Sequence, residues 1–156
     1  MTSLERLTAG HADALLAFER DNRAWFARFV TDRGDAYFAG FAGHHAAMLA
    51  EQDAGTGHFH LLVTSDGAII GRFNLFDVHD GQARLGYRVA ERFSGRGLAK
   101  EGVRQVIARA RTEYRLRRLT AGASPGNAGS LAVLRGTGFT VTGPDQPTGR
   151  WHVLDL

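Results

Sequence analysis

The sequence of 156 residues contains no cysteine and a single lysine, Lys100. Without cysteine there can be no disulfide framework, no thiol nucleophile and no thiolate metal site. No apolar run approaches the roughly 18 residues that a membrane-spanning helix needs, so we expect no membrane segment. No signal peptide is recognisable at the start of the sequence, and we therefore expect a cytoplasmic protein.

The sequence does contain enough apolar material for a hydrophobic core. Hydrophobic residues make up 44% of the chain and charged residues 22%, and no long polar tract is present, which excludes a disordered chain. A chain of this length fits one domain. Since no internal repeat or linker divides the sequence, we predict one domain over residues 1–156.

The positive charge of the chain is carried almost wholly by arginine, and the net charge is +3. The planar guanidinium group suits the recognition of phosphate and carboxylate groups. The basic run at residues 115–118 would also fit a nucleic-acid-binding protein. No aromatic platform or recognition motif accompanies that run, so nucleic-acid binding is the weaker alternative. The simpler interpretation is a basic opening that binds an anionic cofactor.

Apolar periodicity predicts the element order β-α-α-β-β-β-α-β-α-β-β, which is one mixed α/β domain. Two helices are expected near the N-terminus, over about 11–30 and 36–51. A third helix is the clearest, since Val103, Val106, Ile107 and Ala110 recur at helical spacing. Turns are predicted at 65–67, 77–81 and 143–149. The predicted strands cover residues 4–7, 58–64, 68–76, 82–90, 118–123, 139–142 and 150–156.

A glycine-rich loop precedes the clearest helix and begins at Arg92. Gly95 and Gly97 allow the backbone to approach an anion with its N–H groups pointing inward. The first turn of the helix adds the positive end of its dipole. The pattern therefore predicts a phosphate or pyrophosphate site, and a plain tight turn is the alternative.

A second segment places Asn127 and Ser130 three residues apart at the start of a short helix, which ends in Gly138 and Phe139. The pattern Arg-x-x-Gly-x-Gly, followed by Asn-x-x-Ser and a terminal Gly-Phe, resembles the GNAT (Gcn5-related N-acetyltransferase) superfamily. The nearest likeness is to the RimJ/RimL-like branch, which acetylates protein N-termini or small amines. The resemblance is clearest over residues 71–139.

The resemblance implies a GNAT-like fold with a mixed, mostly antiparallel central sheet flanked by helices. It also implies acetyl-CoA as cosubstrate, no metal, and direct attack by a primary amine in a ternary complex. By position, the loop amides would hold the pyrophosphate, and three cations would assist them: Arg92, Arg96 and Lys100. The implied loop residues are Ser94, Gly95, Arg96, Gly97, Leu98 and Ala99.

The resemblance further implies that the pantetheine arm pairs with the strand at Tyr87, Arg88 and Val89, where the Val89 N–H would polarise the thioester carbonyl. Asn127 would cap its helix and bind the pantetheine. Ser130 would face the sulfur. The alternatives are that Tyr87 is a core aromatic and that Ser130 bonds to its own helix.

The sequence departs from the family pattern at two positions that carry chemistry. Leu134 stands where many members have a tyrosine acting as general acid, so Ser130 becomes the candidate for that role. Arg84 stands where RimL-like members often have a glutamate, so no general base is identifiable there. The remaining candidate bases are Asp77, His79 and Asp80. Two histidines that share one face of a strand, His58 and His60, could line a cleft or bind metal. The polar triplet at 21–23 (Asp21, Asn22 and Arg23) could bind an amine or a peptide terminus.

Three questions stay open at the level of sequence. The acceptor is either a protein N-terminus or a small amine, and the lack of an acidic cluster argues against polyamines. The rival function is a non-catalytic acyl-CoA-binding or sensor domain, which the missing tyrosine and glutamate would suit. Aromatic-rich N-terminal helices and the segment 151–156 leave room for a homodimer.

Overall fold

Seven strands form one sheet in the order β1-β2-β3-β4-β5-β7-β6. The structure is a computed structural model and describes residues 1–124, 126–146 and 149–156. Neighbouring strands are antiparallel throughout, except for β4 and β5, which are parallel. The strands are β1 Thr2–Arg6, β2 His58–Thr64, β3 Ile69–His79, β4 Gln82–Val89, β5 Arg118–Ala123, β6 Thr140–Gln146 and β7 Gly149–Asp155. The predicted mixed, mostly antiparallel sheet is confirmed.

Six α-helices cover the two faces of the sheet in the described part of the chain, and short 3-10 turns occur at Ala9–His11 and Glu91–Phe93. The helices are α1 Ala12–Asp21, α2 Arg23–Phe26, α3 Asp35–Ala39, α4 Phe41–Ala54, α5 Leu98–Thr112 and α6 Ala128–Gly136. The element order agrees with the prediction, apart from the number of helices before β2.

Each of the two predicted N-terminal helices is broken, which corrects the sequence-based boundaries. The side chain of Asn22 ends α1, because its Nδ2 donates to the Phe18 carbonyl and its Oδ1 accepts from the Glu91 N–H. Gly40 separates α3 from α4. In both cases one residue with weak helix propensity, placed inside an otherwise helical pattern, decides the boundary.

The strand boundaries differ most at two predicted turns. Strand β3 continues to His79, so the chain reverses only at Asp80 and Gly81, both with positive φ. Strand β6 continues to Gln146 through most of the predicted loop at 143–149, with a shift of register after Thr142. Residues 147 and 148 of that loop lie outside the described residues. The hairpin turn at 65–67 is confirmed by the Gly67 N–H bond to the Thr64 carbonyl.

The hydrophobic core lies in two layers, one on each face of the sheet. Helices α5 and α6 cover one face, where the predicted stripe on α5 is buried against Phe73 and Leu75. Helices α1, α2 and α4 cover the other face around Phe18 and Phe59. A strand buried on both faces sends alternate side chains into each layer, as β3 does.

Strands β4 and β5 are paired at one end only. Their register covers Gln82–Arg84 of β4 and residues 118–120 of β5, and the two strands separate beyond that point. The chain enters α5 and α6 at the separated ends. Crevices at the carboxyl ends of neighbouring strands are common ligand sites in α/β proteins, so this opening positions the site described below.

Two helical glycines provide a test of the packing between α5 and the sheet. A Cβ at Gly102 of α5 would collide with the ring of Phe73, whereas a Cβ at Gly43 of α4 would meet nothing within 4 Å. We expect Gly102→Ala to lower the free energy of unfolding by about 1–3 kcal/mol through overpacking. Gly43→Ala should leave it unchanged or raise it by up to about 1 kcal/mol. Urea denaturation measures both values, and equal effects would contradict the packing described here.

Candidate functional site

Two clefts meet where β4 and β5 separate. The first, of about 580 Å³, is lined by the glycine-rich loop, the end of β4, the start of α6 and the aromatic segment around α2; we name it the glycine-loop cleft. The second, of about 1000 Å³, lies on the α1–α4 side and is rich in arginine; we name it the arginine cleft. The two clefts share Phe29, Val30, Tyr87, Arg88, Asn127 and Ser130.

The backbone of the glycine-rich loop presents open N–H groups to the first cleft. Gly95 and Gly97 have φ of 74° and 75°, a left-handed conformation that glycine adopts without strain. Gly97 is the N-cap of α5, no side chain caps this end, and the first helical bond runs from the Glu101 N–H to the Gly97 carbonyl. The preceding amides of the first turn are therefore available to an anion.

The three predicted phosphate partners occupy different places. Lys100 lines the glycine-loop cleft, and a Cβ on Gly136 of α6 would be 3.1 Å from its Nζ. The guanidinium groups of Arg92 and Arg96 lie 4.9 Å and 5.3 Å from the ring centroid of Phe93. Neither arginine is among the residues that line the cleft, so the structure brings only Lys100 of the three to it.

The backbone of β4 offers further hydrogen-bonding groups to the opening. The Ala90 N–H donates to the Ile70 carbonyl of β3 at 2.9 Å. Backbone groups alternate in direction along an antiparallel strand, so the N–H and C=O groups of Tyr87 and Val89 point away from β3. Because β5 has already separated at this level, these groups face the opening.

A side-chain hydrogen bond spans the opening from β4 to α6. The Tyr87 hydroxyl is 3.0 Å from the Ser130 Oγ, and the Asn127 Oδ1 accepts the Ser130 N–H at 3.0 Å, so the predicted helix cap is present. Burial raises the pKa of Tyr87, which keeps the phenol protonated at neutral pH. The residue at the usual tyrosine position, Leu134, is fully buried in the core.

A buried carboxylate, which the sequence analysis did not single out, organises the other side of the opening. Glu19 is 1% exposed, and its oxygens lie 2.6 Å from Arg72, 3.1 Å from Arg88 and 3.3 Å from Arg33. Burial opposes ionisation, but the three guanidinium charges outweigh it and hold the pKa of Glu19 below its ordinary value. The signal in the sequence was a glutamate on the apolar face of α1, beside Leu15 and Phe18.

The charged side chains that line the arginine cleft are all cationic among the residues that the structure describes. Arg84 is 44% exposed, its Nη2 lies 3.4 Å from the Asp77 Oδ2, and its guanidinium lies 4.9 Å from the Phe76 ring centroid. No carboxylate that could act as a general base is therefore among the described lining residues. The arginines are Arg28, Arg33, Arg72, Arg84, Arg88 and Arg150.

The other candidate residues, around the β3–β4 turn and at the end of α1, lie outside both clefts. Asp77, His79 and Asp80 are exposed around the β3–β4 turn and are not among the lining residues. Asn22 ends α1, as described above, and Arg23 is paired with Asp32 and Asp35. None of these side chains is positioned to take a proton from an amine at the junction of the clefts.

The two strand histidines form a separate cluster with Tyr114. The His58 ring stacks on Tyr114 at 3.7 Å, and the His60 Nε2 is 2.5 Å from the Tyr114 hydroxyl. Burial lowers the pKa of His58 to about 4 and that of His60 to about 3, so both are neutral at pH 7. Among the described residues no group of three or more His, Cys, Asp or Glu could hold a metal ion, and no described helix has the length and hydropathy of a membrane span.

Comparisons with known proteins agree with the resemblance seen in the sequence. A family model described as "Acetyltransferase (GNAT) domain" matches residues 2–140. The Bacillus subtilis protein named "Probable N-acetyltransferase YjcK" is 32% identical over 82% of this chain and 74% of its own length.

Two solved structures share the fold. The Ribosomal-protein-S5-alanine Acetyltransferase from Vibrio fischeri superposes with a TM-score of 0.90 at 17% identity, over 99% of this chain and 92% of its own. Mycobacterium smegmatis RimJ in complex with CoA-disulfide gives a TM-score of 0.86 at 19% identity, over 99% and 81%. At these identities the likeness shows the fold alone, and it agrees with the predicted RimJ/RimL-like topology.

The buried carboxylate gives a prediction for stability and its pH dependence. Glu19→Gln removes the negative charge from three arginines, and we expect the free energy of unfolding at pH 7 to fall by about 3–5 kcal/mol. Since the pKa of Glu19 is lowered by folding, this contribution is complete above the ordinary value of 4.5. It is lost as the pH falls through the folded-state pKa.

The measurement is urea denaturation of both proteins between pH 7 and pH 3, where the difference between them should narrow. Glu113→Gln is the control, because Glu113 is exposed and lies 4.0 Å from Arg109; it should change stability by less than about 0.5 kcal/mol. A Glu19→Gln protein as stable as the wild type at pH 7 would show that the carboxylate does not hold these elements together.

Proposed function

The chain belongs to the acetyltransferase (GNAT) family, and we propose that acetyl-CoA lies in the glycine-loop cleft while a primary amine approaches through the arginine cleft. Family membership makes the chain an acetyl-CoA-dependent N-acetyltransferase. The observation that carries the proposal is the meeting of the two clefts at Tyr87 and Ser130. Donor and acceptor entering from opposite faces would meet there without a covalent enzyme intermediate.

The residues of the glycine-loop cleft fit the anionic end of the cofactor. The open amides at the start of α5 and the left-handed glycines before it form a cradle for a pyrophosphate. Lys100 adds a cation at the same cleft. The RimJ structure in complex with CoA-disulfide supports a coenzyme A site in this fold. Acetyl-CoA supplies the activated acetyl group, and the chain supplies the groups that hold and polarise it.

The open edge of β4 fits the pantetheine arm. The outward N–H and C=O groups of Tyr87 and Val89 would pair with its amides as a further strand does. The Val89 N–H, near the end of this edge, would donate to the thioester oxygen and stabilise the charge that develops there. Arg88 contributes its backbone to the same strand, while its side chain binds Glu19 on the opposite face.

The proton for the departing thiolate would come from Ser130. The Tyr87 hydroxyl lies within hydrogen-bond distance of the Ser130 Oγ, and because its pKa is raised, the phenol retains its proton to donate. Ser130 would then donate its own proton to the sulfur and take one from Tyr87, which solvent would reprotonate. The proton lost by the attacking nitrogen would pass to solvent. Ser130 is the catalytic residue of this scheme. Tyr87 holds the Ser130 hydroxyl in place and returns a proton to it.

The acceptor is a primary amine, either a protein N-terminus or a small molecule. The likeness to the Ribosomal-protein-S5-alanine Acetyltransferase from Vibrio fischeri supports the first of these. No observation on the described residues favours the alternative of a non-catalytic acyl-CoA-binding domain. A homodimer stays a prediction, and light scattering of the purified chain tests it.

Gly97→Asp tests the cofactor site. A carboxylate placed before the open amides would repel the pyrophosphate and compete with it for the N–H groups, so we expect the Kd for acetyl-CoA to rise at least about tenfold. Calorimetric titration with acetyl-CoA, with CoA and ATP as comparisons, measures the change. Wild-type protein should bind acetyl-CoA and CoA much more tightly than ATP.

Gly55→Asp is the matched control for this substitution. Gly55 has φ of 76°, close to that of Gly97, and a Cβ at either position meets nothing within 4 Å. The backbone strain of the two substitutions is therefore alike, and only Gly97 lines the cleft. An unchanged Kd for acetyl-CoA in Gly97→Asp would show that the pyrophosphate does not bind to this loop.

A double-mutant cycle tests the proton relay. We expect Ser130→Ala to lower kcat by about 100-fold with little change in the Kd for acetyl-CoA, the size typical of a lost general acid. Tyr87→Phe should lower kcat less, by about tenfold, because Ser130 keeps its own proton. If Tyr87 acts through Ser130, the double variant should be no slower than Ser130→Ala. If the fold decreases in kcat of the two single variants multiply in the double variant, the two hydroxyls act independently.

A further inference from the structure

The charge of the arginine cleft carries information about the acceptor. Six arginines line it, and no aspartate or glutamate is among its described lining residues. A surface that contacts only solvent ordinarily carries interspersed charges of both signs. A cleft lined by one sign of charge concentrates ligands of the opposite sign.

The described carboxylates near the cleft do not balance four of these arginines: Arg33, Arg72, Arg84 and Arg88. Glu19 is shared by Arg33, Arg72 and Arg88, which leaves two positive charges in excess within that cluster. Asp77 is the partner of Arg84, but it is 79% exposed and 3.4 Å away. An exposed pair of this kind contributes little, so Arg84 retains donors for a ligand.

Arg84 is placed to receive an anionic group from a bound amine. It lies on the arginine-cleft face of β4, three residues before Tyr87, which corresponds to about 10 Å along the strand. Its guanidinium covers the Phe76 ring and lines the cleft. An amine bound in this cleft with its nitrogen at the junction would therefore extend along β4 toward Arg84.

A second polar group in the same cleft lacks a partner. Asn74 is 6% exposed, lines the arginine cleft, and its Oδ1 makes no hydrogen bond within the described structure. A buried amide oxygen without a donor is unfavourable by about 1–3 kcal/mol. Its register partner on β4, Gly86, has no side chain that could donate to it.

We infer that the acceptor is a primary amine carrying a carboxylate or phosphate close to its amino group, and that Arg84 binds this anionic group. The inference rests on the proposed acetyl transfer. The excess positive charge also disfavours the ammonium form of a bound amine and so lowers its pKa, which helps to provide the neutral nucleophile in a cleft without a described carboxylate base. Polyamines are excluded as preferred acceptors on the same ground.

Matched acceptors test the inference with the full chain and saturating acetyl-CoA. The pairs are alanine against alaninamide, phosphoethanolamine against ethanolamine, and a peptide beginning Ser-Glu-Glu against one beginning Ser-Gln-Gln, with spermidine as the cationic comparison. Mass spectrometry of the acetylated product gives kcat/KM for each. We expect the anionic member of at least one pair to be favoured at least about tenfold, and the favoured pair distinguishes a free amino acid, a phosphorylated amine and a peptide.

Arg84→Gln should remove most of this preference and leave the Kd for acetyl-CoA unchanged. Arg118→Gln is the control, since Arg118 is 47% exposed and paired with the exposed Asp155, much as Arg84 is with Asp77. Arg118 does not line the arginine cleft, so its variant should keep the preference. The wild-type preference should also shrink as salt is raised.

The outcomes separate this inference from the proposed function. Failure to bind acetyl-CoA would overturn both. If acetyl-CoA binds, three results would each overturn the inference alone. They are equal rates for the charged and the neutral acceptor of every pair, a preference for spermidine, and no acetylation of any anionic amine. A preference for anionic amines that survives Arg84→Gln would overturn the assignment of Arg84.

Discussion

The separation of β4 from β5 is the constraint on which the site depends. The two strands share three register pairs and then diverge, so the backbone groups of Tyr87 and Val89 have no strand beside them. Unpaired backbone groups are unfavourable when buried and strongly favour a partner. A ligand with amides of its own can supply that partner, and the loops that follow the two strands place α5 and α6 at the mouth of the same opening.

One strand serves both clefts because side chains alternate along it. Tyr87 and Val89 pack on the face covered by α5 and α6, where the Tyr87 hydroxyl reaches Ser130. Arg84 and Arg88 point to the opposite face, where Arg88 joins Glu19 and Arg84 lines the arginine cleft. The register of β4 thus places the Tyr87 hydroxyl on the side proposed for acetyl-CoA and the two guanidinium groups on the side proposed for the amine. A shift of the register by one residue would exchange them.

The electrostatics of the molecule follow from its unusual choice of cations. Arginine remains charged when buried and presents several donors in a plane, so one carboxylate, that of Glu19, can hold three guanidinium groups from separate segments. Arg72, at 3% exposure, would be unfavourable without it. The same cluster fixes α1 against β3 and β4 and leaves an excess of positive charge beside the opening.

The sequence alone determined the features that depend on neighbouring residues: the apolar face of α5, the left-handed glycines of the loop, the Asn127 cap and the order of the elements. Periodicity, capping and turn chemistry act over a few residues and can be read from a single chain. Only the tertiary structure decided that Tyr87 meets Ser130, that Glu19 holds Arg72 and Arg88, and that arginines from distant segments share one cleft. Those contacts join residues 43 to 69 positions apart, and they exist because of the strand order and the place where β4 and β5 separate.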